Sequence, residues 1–246
     1  MHRSDVPVIA FSRKAGLAMW RRVSHMGAMQ RYQPPMIALA VCLAALAGFV
    51  DALAYSSLGG FFASFMSGNT TRLGVAFAAG HYDEVRMAGA LILSFVAGVM
   101  IAAVIMRRWP QHPKPAVMTG VALLLGLAAT IIRFHSGNQV YLLLALAMGA
   151  ECGVDIGLFY VTGSLVRMGQ SLAGALMGDK DRWSWLRHLL LWLGFLLGVV
   201  TGGRCYAAFD AGALWLAAGG AGVLAIAMAT VSSRAPNASP WGPRPV

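Results

Sequence analysis

Six apolar runs set the frame for this chain: residues 36–58, 88–106, 116–132, 139–159, 186–203 and 211–231. Each approaches the roughly 20 residues needed to cross a bilayer core. Lipid offers no water to an unpaired N–H or C=O, so a spanning segment must satisfy its own backbone. With short connections between the runs, helices follow rather than strands. The balance of residue types agrees, with 11% charged against about 25% in a typical soluble domain. The predicted fold is all-α, a polytopic membrane domain over 36–231.

Two further stretches, 60–80 and 160–180, are interrupted by glycine and polar residues. If 60–80 crossed fully, the loop with Arg107, Arg108 and Lys114 would lie outside, against the tendency of cytoplasmic loops to collect Lys and Arg. Re-entrant or half-helical segments leave six spans. The inside then holds residues 1–35, the 107–114 loop, the region with Arg167, Lys180, Arg182 and Arg187, and the tail 232–246 with Arg244. Both termini are expected to be cytoplasmic. The N-terminal tail carries Arg3, Arg13, Lys14, Arg21, Arg22 and Arg31 against Asp5 alone, and the apolar run behind it is too long for a signal peptide. The net charge of +10 resides largely in such tails and connections, so it reads as topology rather than as a nucleic-acid surface.

Cys42, Cys152 and Cys205 are too scattered for a disulfide framework or a CxxC site, and no paired-His spacing suits a metal. Gly163-Ser164 does not form a G-x-S-x-G elbow. No P-loop is present. His81, His112 and His135 fall in connections and His188 near a helix start, none beside a nucleophile. The expectation is a protein that is not an enzyme and uses no metal or cofactor.

An internal repeat is the more informative pattern. SGNTTRLG (67–74) aligns with TGSLVRMG (162–169) as [ST]-G-x-x-x-R-[LM]-G, with Phe65 and Tyr160 two residues ahead of each. FVAGV (95–99) matches FLLGV (195–199). Three spans per copy is an odd number, so copies at 36–133 and 139–231 would be inverted. Secondary transporters recurrently show this arrangement, with interrupted segments from both halves flanking the site.

The segments GFVDALAYSSLGGFFASFMSGNTTRLG (48–74) and YVTGSLVRMGQSLAGAL (160–176) resemble the YoaK or DUF1275 family of bacterial membrane proteins. The resemblance covers roughly 36–231 and both glycine motifs. It implies a six-helix bacterial inner-membrane protein whose substrate is not established. The family often has an amide pair where this chain has Glu151-Cys152, so nothing is carried over to those two positions.

Several residues are candidates for an ion or substrate pathway. Asp51 lies in the first run without a basic residue within a helical turn. A charge at a helix centre costs about 2.5–3.5 kcal/mol on insertion scales, so Asp51 either faces the bundle interior or reaches interfacial water. Glu151, Asp155 and Thr162 share one helix face, and Gly149, Gly153 and Gly157 form the opposite one, suited to close packing. Two carboxyls four residues apart suit proton exchange; a hydrated vestibule is the competing reading. Arg72 and Arg167 occupy the same slot of the two motifs, fit either to bind an anion or carboxylate or to snorkel to the interface. Ser67, Gly68, Asn69, Thr70 and Thr71, with Gly163 in the second copy, suit the broken start of a half-helix, by capping it or by presenting its positive end to an anion.

The leading expectation is a secondary transporter of a small solute, an anion being the class the arginines favour, with proton or ion coupling through Asp51, Glu151 and Asp155. The alternative is a membrane scaffold or sensor held together by its glycine motifs. The expected partners are the lipid bilayer, a solute or ion, and a second copy of the chain in a homo-oligomer, with no nucleic acid.

Overall fold

A computed structural model describes residues 34–134, 139–154, 161–179 and 182–233. All regular structure among the described residues is helical: α1 (Pro34–Ser57), α2 (Met66–Ala79), α3 (Tyr82–Arg108), α4 (Pro113–Ile131), α5 (Gln139–Gly153), α6 (Val161–Leu176), α7 (Ser184–Phe209) and α8 (Leu214–Ser233). A 3-10 turn, Asp210–Ala213, joins α7 to α8, with Asp210 at φ 49° breaking the helix. The apolar runs at 36–58, 88–106, 116–132, 186–203 and 211–231 fall on α1, α3, α4, α7 and α8, and the run at 139–159 begins as α5. Its last residues, like the tails 1–33 and 234–246, lie outside the described residues.

Length separates the helices into two kinds. α1, α3 and α4, and the stretch Ser184–Ser232 that contains α7 and most of α8, are long and apolar enough to cross a membrane. α5 is a shorter apolar helix within the described residues. The 14 residues of α2 reach about 21 Å and the 16 of α6 about 24 Å, short of a hydrocarbon core of about 30 Å. These two helices are the stretches that interrupted the hydropathy pattern.

Local chemistry places several of the ends. Pro113 sits in the first turn of α4, where its missing N–H is no loss. Asp83 and Glu84 lie in the first turn of α3 and Arg107 and Arg108 in its last, each complementing the nearer end of the helix dipole. Gly80 ends α2 at φ 75°, its N–H bonding back to the last turn, and α3 starts two residues later. α2 and α3 therefore form a tight antiparallel hairpin.

α1 packs on α7 and α8, and α5 packs on α3 and α4. α2 lies against α3, α6 against α7, and α4 against α8. Leu43, Val50 and Leu53 of α1 and Leu144, Ala147 and Met148 of α5 are buried, whereas Leu93, Val96, Met100 and Val104 make an exposed apolar stripe on α3. Such a stripe would be a liability in water and is the expected surface in lipid.

Glycines bring the main helix pairs into contact. A Cβ on Gly48 would strike the carbonyl oxygen of Phe195, and one on Gly198 that of Ala45, so α1 and α7 cross with their backbones touching. Gly149 meets the carbonyl of Phe95 and Gly98 that of Leu146 in the same way, which brings α5 onto α3. Gly153 extends the second crossing, where an added Cβ would lie 2.8 Å from that of Ala102. The expected glycine face of α5 is thus an α3-facing surface as far as Gly153; Gly157 lies outside the described residues.

Candidate functional site

Between α1 and α2 the chain makes a loop, residues 58–65, that turns at Gly59 (φ 63°) and Gly60 (φ 92°) and folds back against the end of α1. A backbone segment of this kind cannot pair with itself, so its polar groups need partners from elsewhere. Side chains of the polar motif and of α1 supply them.

Asp51 is 2% exposed, and its carboxylate accepts three hydrogen bonds from the returning strand. Oδ1 takes the backbone N–H groups of Ala63 at 2.8 Å and Ser64 at 2.6 Å, and Oδ2 takes the Ser64 hydroxyl at 2.6 Å. Of the two places the sequence left open for Asp51, this is the bundle interior. Its partners are two backbone N–H groups and a hydroxyl rather than a cation.

Asn69 is fully buried and pairs with the backbone of Phe62 in both directions, accepting its N–H at 3.0 Å and donating to its carbonyl at 2.8 Å. Arg72 donates to the carbonyl of Gly59 at 2.8 Å and to Glu84 at 3.2 Å, with its guanidinium 3.9 Å above the Phe61 ring. Asp51, Asn69 and Arg72 thus hold successive parts of one loop. Capping by Asn69, Thr70 and Thr71 is not what the geometry shows. α2 begins at Met66, ahead of them, with no side-chain cap at Phe65. The two exposed threonines bond instead to the carbonyls one turn back, Thr70 to Met66 at 2.8 Å and Thr71 to Ser67 at 3.1 Å. Gly68 leaves room for the edge-to-face pair of Phe62 and Phe65, and Ser67 is exposed.

The depth at which α2 starts follows from its neighbours. Met66 and Leu73 pack against a buried cluster of Phe61, Ala88, Leu91 and Ala145, which Phe95 also flanks. Phe95 lies midway along α3, and a 14-residue helix running back antiparallel from the Gly80 turn starts at about that level, so the first turn of α2 begins beside the middle of a spanning helix.

Glu151 completes the polar centre from α5. It is 1% exposed, and neither carboxylate oxygen has a hydrogen-bond partner among the described residues. The charge of Asp51 reaches it across the contact between α1 and α5. Asp155 lies outside the described residues. The second glycine motif is arranged differently: Thr162 and Arg167 are exposed on α6, Gly163 is half-buried, and Ser164 is buried. The charge of Arg167 reaches His188, a buried residue of α7. The structure therefore brings Asp51, Asn69 and Arg72 onto the α1–α2 loop, sets Glu151 of α5 within electrostatic reach of Asp51, and leaves Thr162, Gly163 and Arg167 on α6.

Sequence reasoning missed Ser64, Glu84 and the carbonyl of Gly59 as partners. The Gly59-Gly60 pair was the available signal, because a double glycine after an apolar run marks a sharp turn with backbone groups to satisfy. Among the described residues no group of three or more His, Cys, Asp or Glu side chains is placed to hold a metal ion.

Comparison with known proteins adds a family to this geometry. A family model described as a protein of unknown function, DUF1275, matches residues 39–227. The chain is similar to the UPF0700 transmembrane protein RA0705 of Rhizobium meliloti (strain 1021), at 32% identity over 173 residues, 68% of this chain and 74% of the relative. It is also similar to the UPF0700 transmembrane protein YoaK of Bacillus subtilis (strain 168), at 26% identity over 174 residues, 65% of this chain and 76% of the relative. No solved structure matches it.

Proposed function

This chain belongs to the DUF1275 family, whose matched relatives are transmembrane proteins, and on that premise we propose that it is a secondary transporter. It moves a small solute by alternating access, coupled to a proton or ion gradient, from a bacterial plasma membrane in which both termini are cytoplasmic. The observation that carries this reading is the α1–α2 loop, which turns back into the bundle and starts a half-length helix beside the middle of α3, next to two buried carboxyl groups. Irregular backbone at membrane depth survives only where protein or a polar cavity surrounds it, and transporter sites are built from such breaks.

The packing supports a repeat with the same implication. Exchanging α1–α4 for α5–α8 turns the α1–α7 contact into α5–α3, the α2–α3 contact into α6–α7, and the α4–α5 contact into α8–α1, each of which is made. The glycine crossings exchange as well: Gly48 against Phe195 becomes Gly149 against Phe95, and Gly198 against Ala45 becomes Gly98 against Leu146. Two inverted copies of three spans, each with one half-helix, give this pattern. Of the two motif arginines, Arg72 is committed to Gly59 and Glu84, so Arg167 is the one available to an anionic solute.

The test uses purified full-length protein in liposomes loaded with a pH-sensitive dye and challenged with a panel of small carboxylates, phosphate and neutral solutes. The expected result is a solute-dependent internal pH change in the parent that is absent in Glu151→Gln. No response to any solute, together with loss of a cellular phenotype on deleting residues 1–30 but not in Glu151→Gln, would move the protein to the scaffold reading.

A further inference from the structure

The two carboxyl groups of the polar centre have opposite surroundings. Asp51 has both oxygens engaged, by the backbone N–H groups of Ala63 and Ser64 and by the Ser64 hydroxyl. An amide could occupy the same place, since its oxygen accepts and its NH2 donates to a hydroxyl. Asp51 is thus a latch on the loop, defined by its shape and its acceptors.

Glu151 is buried, and among the described residues it has no hydrogen-bond partner. Among the described residues its charged and titratable surroundings are few; Asp155 lies outside them. Asp51 interacts with Glu151 electrostatically from α1, and Cys152 follows it on α5. The charges of α3 lie in its end turns, at Asp83, Glu84, Arg86, Arg107 and Arg108. Lys114 of α4 is buried and has an interaction of its own. A carboxylate buried without a donor is strongly disfavoured, so this geometry suits the neutral acid. A metal cation would need several further oxygens, and among the described residues the carboxylate that interacts with Glu151, that of Asp51, is already engaged by its own donors. A proton needs one.

We infer that Glu151 is the proton-carrying group of the transport cycle and that Asp51 is a positioning residue which holds the loop beside it. The assignment rests on the transporter reading for its role in coupling. In the cycle the Glu151 carboxyl O–H bond breaks, leaving the carboxylate and delivering the proton to water on one side, and the bond re-forms with a proton from the other.

Dicyclohexylcarbodiimide, an apolar reagent that modifies protonated carboxyl groups buried in membranes, tests this without a solute. Full-length protein in native membranes is treated over a range of pH, in sodium or in choline buffer, and adducts are located by peptide mass spectrometry. The expected result is an adduct on Glu151 and none on Asp51, increasing as the pH is lowered and equal in the two buffers. Glu151→Gln should lose the label and Asp51→Asn should keep it. An adduct on Asp51, protection of Glu151 by sodium at constant pH, or no adduct on either carboxyl would overturn the inference. A sodium-insensitive Glu151 adduct in a protein that transports nothing would leave the proton site standing and remove the transporter. Solute flux with sodium-protected Glu151 would do the reverse.

Discussion

Asp51 and Ser64, thirteen residues apart, meet through two hydrogen bonds: the carboxylate of the first accepts both the backbone N–H and the hydroxyl of the second. With the N–H of Ala63 on the same oxygen as that of Ser64, the end of α1 and the start of α2 are joined through one side chain. Asp51→Ala should therefore lower thermal stability in detergent sharply, since each orphaned buried donor costs roughly 1–3 kcal/mol. Ser64→Ala removes one bond and should cost less. Asp51→Asn should stay closest to the parent. If Asn is as damaging as Ala in a melting experiment, the loop needs the charge and not merely the acceptors.

Arg72 joins three groups, and they should contribute unequally. Its ion pair with Glu84 is partly open to solvent, the side chains being 31% and 46% exposed, and such pairs are worth about 0–1 kcal/mol. Glu84→Gln should accordingly shift stability little. Arg72→Ala also removes the donor to Gly59 and the cation above Phe61, so its effect should exceed that of Glu84→Gln. A double-mutant cycle measures the Arg72–Glu84 term directly; a coupling well above about 1 kcal/mol would mean that the pair, and not the loop contact, dominates.

The glycines divide by what surrounds them. Gly98→Ala and Gly198→Ala would press a methyl group onto a neighbouring backbone carbonyl, and overpacking of that kind costs about 1–3 kcal/mol or more. Gly74 and Gly169 end the two sequence motifs, yet a Cβ at either meets nothing within 4 Å. Alanine there should be neutral or stabilising by about 0.5–1 kcal/mol, because it removes backbone freedom from the unfolded chain. Yield of monodisperse protein on size-exclusion chromatography separates the two classes. Equal behaviour of all four variants would contradict the crossing geometry.

The amino-acid sequence by itself determined the helical membrane class, the placement of the apolar helices and the two short interruptions. Those properties follow from local quantities, the length of an apolar run and the self-pairing of a helical backbone in lipid. It also singled out Asp51, Asn69, Arg72 and Glu151, because a polar residue in such a setting stands out by composition alone. Only the tertiary structure decided what each one does. Asp51 lacks a basic residue on its own helix turn, and its partners come from a strand that reaches it only because Gly59 and Gly60 reverse the chain. Arg72 was open to an anion, a carboxylate or the interface and meets Glu84, which the α2–α3 hairpin brings to it. Asp51 and Glu151 were each open to a buried or a hydrated setting; the fold buries both and, among the described residues, surrounds one with donors and the other with none. That difference depends on which backbone passes within about 3 Å of each side chain, a relation between distant segments that no local pattern encodes.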